Sequence, residues 1–270
     1  IGNEDLLRQK VALALSEIMV ISRNSNLQGY GVGLGDFYDI LKDNAFGNFR
    51  DLLKDMTLHP MMGIYLSHYN NPRSFPDKNI HPDENFAREV MQLFSIGLYE
   101  LNQDGSYVLD SEGNRIPSYD NDDIKEFAKV FTGLGAAEVN ENPWGVTPKF
   151  GVVQYLAKKD VPMAMYDDWH QPGVKKLLNG YVTPSGQSGM QDIDDALDNL
   201  FNHQNIAPFI SIRLIQQMVK SNPSPSYISR VSAAFNNTKG VRGDMKAVIK
   251  AILLDDEARN CSWISNPSSG

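Results

Sequence analysis

Residues 81–97 constrain this chain more than any other stretch, because their pattern describes a helix with two chemically opposite faces. Pro82 suits a first helical position, Asp83 and Glu84 stand where the helix dipole favours anions, and Gly97 is a natural stop. On a helical wheel Phe86, Ala87, Val90, Leu93, Phe94 and Gly97 cover one broad apolar arc. Asn85, Arg88, Glu89 and Gln92 form a narrow polar stripe at i, i+3, i+4 and i+7. The pattern predicts one helix over 81–97, buried because so much of its surface is apolar. Its polar stripe must then meet a polar network or a cavity, since a buried Arg or Glu without partners is costly.

The rest of the chain supplies more helices. Leu7, Val11, Ala14, Leu15 and Ile18 repeat at helical spacing over 6–21, and the Asn-, Ser- and Gly-rich stretch 22–35 reads as loop. Helices follow over 37–41, 46–58 and 61–69, the last two separated by His59-Pro60. Turn residues at Asp104-Gly105 and Glu112-Gly113-Asn114 around Tyr107-Val108-Leu109 and Arg115-Ile116 predict a small hairpin. Asn121, Asp122 and Asp123 open a helix that ends by Gly133. Residues 136–189 change character, with many Gly, Pro and isolated aromatics and a β-prone piece at 150–156. Helices return with Asp192 as a cap, over 207–219, after a Ser224 cap with Pro225 in first position, and over 243–255. The expected fold is mainly α: a multi-helix globular domain over 1–270, a fragment of a longer chain, with a small β-hairpin and an irregular, partly β insertion at 136–189.

Composition narrows function mainly by exclusion. The net charge of −8 and the absence of a Lys/Arg run argue against a general nucleic-acid binder, and no apolar run is long enough to span a bilayer. The single cysteine, Cys261, excludes a disulfide within the chain and has no motif around it. No nucleophile elbow is present, and Gly31-Val32-Gly33-Leu34-Gly35 lacks the preceding strand of a dinucleotide loop, so it reads as a mobile lid-like loop.

Several segments together resemble a known family. They are Leu7-Arg8-Gln9-Lys10-Val11-Ala12, the Leu58-His59-Pro60 turn, Pro82-Asp83-Glu84-Asn85-Phe86-Ala87-Arg88-Glu89, Phe127-Ala128-Lys129-Val130-Phe131-Thr132-Gly133, Trp169-His170 through Gly180, and Asn205-Ile206-Ala207-Pro208-Phe209 through Asn222-Pro223-Ser224-Pro225. Spread over nearly the whole chain, they resemble the bacterial domain-of-unknown-function family 1800. The resemblance implies an exported protein of the periplasm or cell surface, with further family segments on both sides, and carries no assigned activity. Asp83, where many relatives have Asn, and Trp169, where another aromatic is common, depart from the pattern.

Within this frame the sharpest site hypothesis is a polar pocket lined by Glu89, Arg88 and Asn85, with His59 and His170 brought in from elsewhere. Glu89 would serve as general base or metal ligand, His170 as its acid/base partner and Arg88 as an anion clamp. The plainer reading is that Arg88 and Glu89 complete a structural network while His59 caps its turn. No two of the histidines stand at the i, i+4 spacing of a helical zinc pair, which argues against zinc. Asp167 and Asp168 beside His170 could take a hard divalent cation such as calcium, although solvated turns explain them as well. Trp144, Trp169, Tyr155, Tyr166 and Tyr181 concentrate aromatics in the insertion, as a satellite core or as a surface for a protein or glycan partner. Two function classes stay open: a binding or scaffold module of an envelope or extracellular assembly, and a hydrolase-like enzyme built on Glu89 and His170.

Overall fold

The computed structural model describes residues 5–237 and 240–260; Cys261 lies outside them. The described chain is mainly helical: α1 (Leu6–Ser16), α2 (Gly31–Asp43), α3 (Phe49–Leu58), α4 (Pro60–Tyr65), α5 (Asn85–Gln92), α6 (Asn121–Val130), α7 (Gly189–Asn202), α8 (Ile206–Met218), α9 (Pro225–Asn236), α10 (Met245–Leu254) and α11 (Asp256–Arg259). A two-stranded antiparallel sheet pairs β1 (Leu134–Gly135) with β2 (Ala164–Met165). The main core draws side chains from every helix from α1 to α10. Helix α8 packs on α9 and α1, α9 on α10, α3 on α2 and α7, and α5 on α6. None of the described helices is long and apolar enough to cross a membrane.

The central helix is shorter than its pattern. It spans Asn85–Gln92, so Pro82 and Asp83 stand outside it. Tertiary bonding explains the late start: the buried Asn71 side chain accepts the Asp83 N–H at 2.9 Å, and the Asp83 carboxylate accepts the Asn85 N–H at 2.9 Å. At the other end the N–H groups of Leu93 and Phe94 share the Glu89 carbonyl, and those of Ile96 and Gly97 share the Met91 carbonyl. Gly97 closes this wide turn at φ +74, where an added Cβ would lie 2.7 Å from the Phe209 ring. Phe86, Ala87, Val90 and Met91 are buried, whereas Asn85 and Leu93 are exposed. The helix is therefore packed on one side and not enclosed.

Other boundaries also move. The Gly31–Gly35 stretch is the first turn of the 13-residue α2, not a loop. Gly33 is buried there, and a Cβ on it would collide with the Met61 sulfur, so close helix packing outweighs the poor helix propensity of glycine. Helix α7 begins at Gly189 with a Ser188–Gln191 capping box, so Asp192 lies inside the helix. The hairpin region forms isolated bridges, Tyr99 to Pro117, Leu101 to Tyr107 and Leu109 to Arg115. The β-prone 150–156 piece forms turns.

Two buried polar side chains tie these parts together. Asn205 donates to the carbonyls of Ile96 at 2.9 Å and Tyr99 at 2.8 Å and to the Ser118 hydroxyl, and accepts the Leu101 N–H. His68 lies between α4 and α5, its Nε2 2.9 Å from the Thr57 carbonyl and its ring 3.9 Å from that of Phe86. Burial pushes the His68 imidazole down to about 4, against the smaller opposing influence of the Thr57 bond.

Two outcomes follow. Asn205→Ala strands two carbonyls and an N–H, and should lower unfolding free energy by about 3 kcal/mol in urea titration. Between pH 6.5 and about 4 the unfolded chain binds a proton at His68 that the folded protein refuses. This contribution, roughly 3 kcal/mol, is complete above pH 6.5 and lost as pH falls toward 4. His68→Gln should flatten the dependence of the denaturation midpoint on pH in that window; an unchanged slope would contradict the assignment.

Candidate functional site

The polar stripe of α5 and the histidines expected to join it lie in separate surroundings. Arg88 pairs with Glu84 at 3.4 Å, both partly exposed. Glu89 is half-buried, its Oε2 enclosed without a hydrogen-bond partner; burial raises its carboxyl, and Arg88 opposes the rise. The hydroxyl of Tyr119, enclosed and unpartnered as well, is pushed up to about 12 by burial, with Arg88 opposing the rise and Glu89 adding to it. His59 caps α4, accepting the Met61 N–H at Nδ1, and its Nε2 lies 3.1 Å from the Asp36 carboxylate. Among the described residues no hydrogen bond, ion pair or ring contact links His170 to Glu89, Arg88, Asn85 or His59.

His170 belongs to another cluster, made by the backbone that surrounds it. The β1–β2 pairing and the Tyr166 N–H bond to Gly133 deliver the chain into a 3-10 turn, Asp167–Trp169, with His170 next. Gly133, at φ +85, lets the His170 backbone approach, because a Cβ there would be 2.9 Å from the His170 nitrogen. Gly189 opens α7 where a Cβ would lie 2.9 Å from the imidazole. Gly133 thus makes room for the His170 backbone and Gly189 for its ring. Thr132 holds the segment from below: its carbonyl lies 3.0 Å from His170 Nδ1, and its hydroxyl accepts the Gln171 N–H at 2.8 Å.

The other members come from distant parts of the chain. Asp192, on the buried face of α7, is 2.8 Å from His170 Nε2 and forms an ion pair with Lys175. Lys175 is 1% exposed, held in place where its N–H binds the Thr183 hydroxyl and its carbonyl accepts the Thr183 N–H. The Lys175 amine also donates to the Gln171 carbonyl at 2.7 Å and touches His170 Nε2 at 3.1 Å. Its hydrogens therefore face two oxygen acceptors, the Asp192 carboxylate and the Gln171 carbonyl, with the His170 ring nitrogen packed against it. The remaining Asp192 oxygen accepts from Gln187, which also donates to Asp195. Burial is the largest single influence on the Asp192 carboxyl and pushes it up, yet the bonds from His170, Lys175 and Gln187 together hold it below the ordinary range.

The cluster forms the floor of an open cleft of about 560 Å³, lined also by Arg73, Asp167, Asp168 and Ser188. Asp167 accepts the Gly189 N–H at the start of α7, at 2.8 Å. Asp168 is exposed. Among the described residues no three His, Cys, Asp or Glu groups come close enough together to hold a metal ion. Where a cation would sit against His170 and Asp192, the Lys175 amine already stands.

A family model described as "Protein of unknown function (DUF1800)" matches residues 1–268. The chain belongs to this family. No curated protein and no solved structure matches it. In this DUF1800 chain the residues that sequence reasoning missed are Lys175, Asp192, Gln187 and Arg73. Asp192 left a signal: it shares the helical face of Ile193, Ala196 and Leu200, where a carboxylate demands buried partners. Lys175 left none, because its partner lies 17 residues away in another element.

Removing one partner leaves the other buried and uncompensated. Lys175→Met should cost about 3–5 kcal/mol in denaturant titration, and the double variant Lys175→Met/Asp192→Asn should recover part of the loss.

Proposed function

We propose that this chain is a non-catalytic binding or scaffold module of an exported cell-envelope or extracellular assembly, and that it meets its partner through the 136–189 insertion. The observation that carries the reading is the closure of the His170–Asp192–Lys175 cluster. Each of its side-chain nitrogens and oxygens has a partner inside the protein, whereas a general base needs an uncommitted lone pair within reach of substrate. Such a cluster fixes the shape of a surface.

The insertion supplies the surface. Its satellite core is aliphatic, made of Ala136, Val152, Leu156 and Ala157, and not of the aromatics expected there. Trp144 is 68% exposed, Tyr155 61%, and Trp169 and Tyr181 40% each. Exposed large aromatics concentrated in one stretch favour a contact surface. Export is supported by the family resemblance. The alternative, a hydrolase-like enzyme built on Glu89 and His170, keeps one observation on its side, the raised and unpartnered Glu89 carboxyl.

The test is retention of the purified chain on washed, insoluble cell-envelope material from a bacterium that carries the family. The parent chain should be retained, and Trp144→Ala/Tyr155→Ala should weaken retention about tenfold or more with an unchanged melting temperature. Equal retention of both would contradict the reading. A hydrolytic activity abolished by Glu89→Gln would establish the alternative.

A further inference from the structure

The cleft above the His170 cluster has its own chemistry. Its lining carries two cations, Arg73 and Lys175, and two carboxylates, Asp167 and Asp168, so a strongly charged ligand of either sign meets a like charge. Lys175 is further neutralised by Asp192 beneath it. What remains on the walls is a set of unused hydrogen-bonding positions. Arg73 lines the cleft, while its Nε is enclosed beneath the surface with no acceptor. Gln171 accepts the Ser74 N–H through its oxygen, which leaves its amide nitrogen to donate. Gln187 spends its nitrogen on Asp192 and Asp195, which leaves its oxygen to accept. Asp168 makes no side-chain hydrogen bond to any other described residue and adds acceptors. Donors and acceptors of this kind suit hydroxyl groups, each of which gives one hydrogen bond and takes others.

An exposed aromatic follows Asp168 in the chain, outside the residues that line the cleft. Trp169 lies between Asp168 and His170 in the chain, and Phe150 stacks on it at 4.5 Å with 12° between the planes. Phe75 meets it edge-on at 5.8 Å, yet 40% of Trp169 remains exposed. An indole fixed by two rings is a preorganised platform that loses little freedom when a ligand covers it. The turn that carries it is pinned by Asp167 to the start of α7 and by His170 to the buried cluster. The volume, about 560 Å³, lies within the range of small-ligand sites.

We infer that this cleft binds a neutral oligosaccharide, with Arg73, Asp168, Gln171 and Gln187 holding its hydroxyl groups and the sugar chain extending out of the cleft onto the exposed Trp169. The inference rests on the binding-module reading and names the chemistry of one partner. The test applies the intact chain to an array of neutral hexose and N-acetylhexosamine di- to tetrasaccharides, followed by calorimetric titration of those that bind. Uronic-acid oligosaccharides, inorganic phosphate and calcium serve as charged competitors. At least one neutral saccharide should bind, and Asp168→Asn, which removes no internal bond, should weaken it about tenfold or more at an unchanged melting temperature. Trp169→Ala should weaken it as well, and phosphate and calcium should not displace it.

Absence of binding to every neutral saccharide at millimolar concentration would overturn the inference, as would affinity unchanged in both variants or displacement by a charged competitor. Envelope retention that survives without saccharide binding would leave the module reading standing and remove only the glycan. Saccharide binding without envelope retention would keep the cleft and remove the assembly.

Discussion

The contact between Lys175 and Asp192 is the constraint on which the cleft depends. An ion pair taken this far from water is stable only if the remaining valences of both groups are filled. Here His170, Gln171 and Gln187 fill them, and each of those residues belongs to the wall or floor of the cleft. The electrostatic requirement of one buried pair therefore sets the geometry of an open surface. Asp167 at the start of α7 and Thr132 under the imidazole extend the same bracing to the neighbouring turns.

The same device recurs in the rest of the fold. Long irregular connections between helices are fixed by single buried polar side chains that reach groups far away in sequence. Asn205 holds the segment after α5, Asn71 sets where α5 begins, and His59 both caps α4 and reaches Asp36 on α2. Each satisfies backbone groups that would otherwise be buried without partners. Helix packing supplies the core, and these side chains determine how the loops lie on it.

This division explains what was legible in the sequence. Helical periodicity located most of the helices, and the Ser224-Pro225 start of α9 follows directly from local capping chemistry. Helix ends set by distant partners were not legible: nothing near Asp83 signals that Asn71 captures its N–H. The glycines of Gly31–Gly35 point to a loop by propensity, and only the close approach of Met61 explains their place in α2. In the candidate site, His170 was legible from its motif, whereas Asp192 was read as a cap although its place on an apolar helical face signalled a buried partner. Lys175 and Arg73 became visible only when the fold brought them to the same cleft. The aromatics of the insertion were legible as a concentration, but their exposure depended on small aliphatic residues filling the satellite core.

The central claim is that the His170 cluster is closed on itself and shapes the cleft without reacting in it. Nitrogen-detected NMR of the Lys175 amine and the His170 ring, with hydrogen exchange followed at neutral pH, tests this most directly. A closed cluster predicts a Lys175 amine resonance whose hydrogens exchange slowly with water, together with a persistent His170 Nδ1–H signal bonded to the Thr132 carbonyl. Rapid exchange at Lys175 and loss of the Nδ1–H signal would show a cluster open to solvent, and would return His170 to the role of an available acid or base.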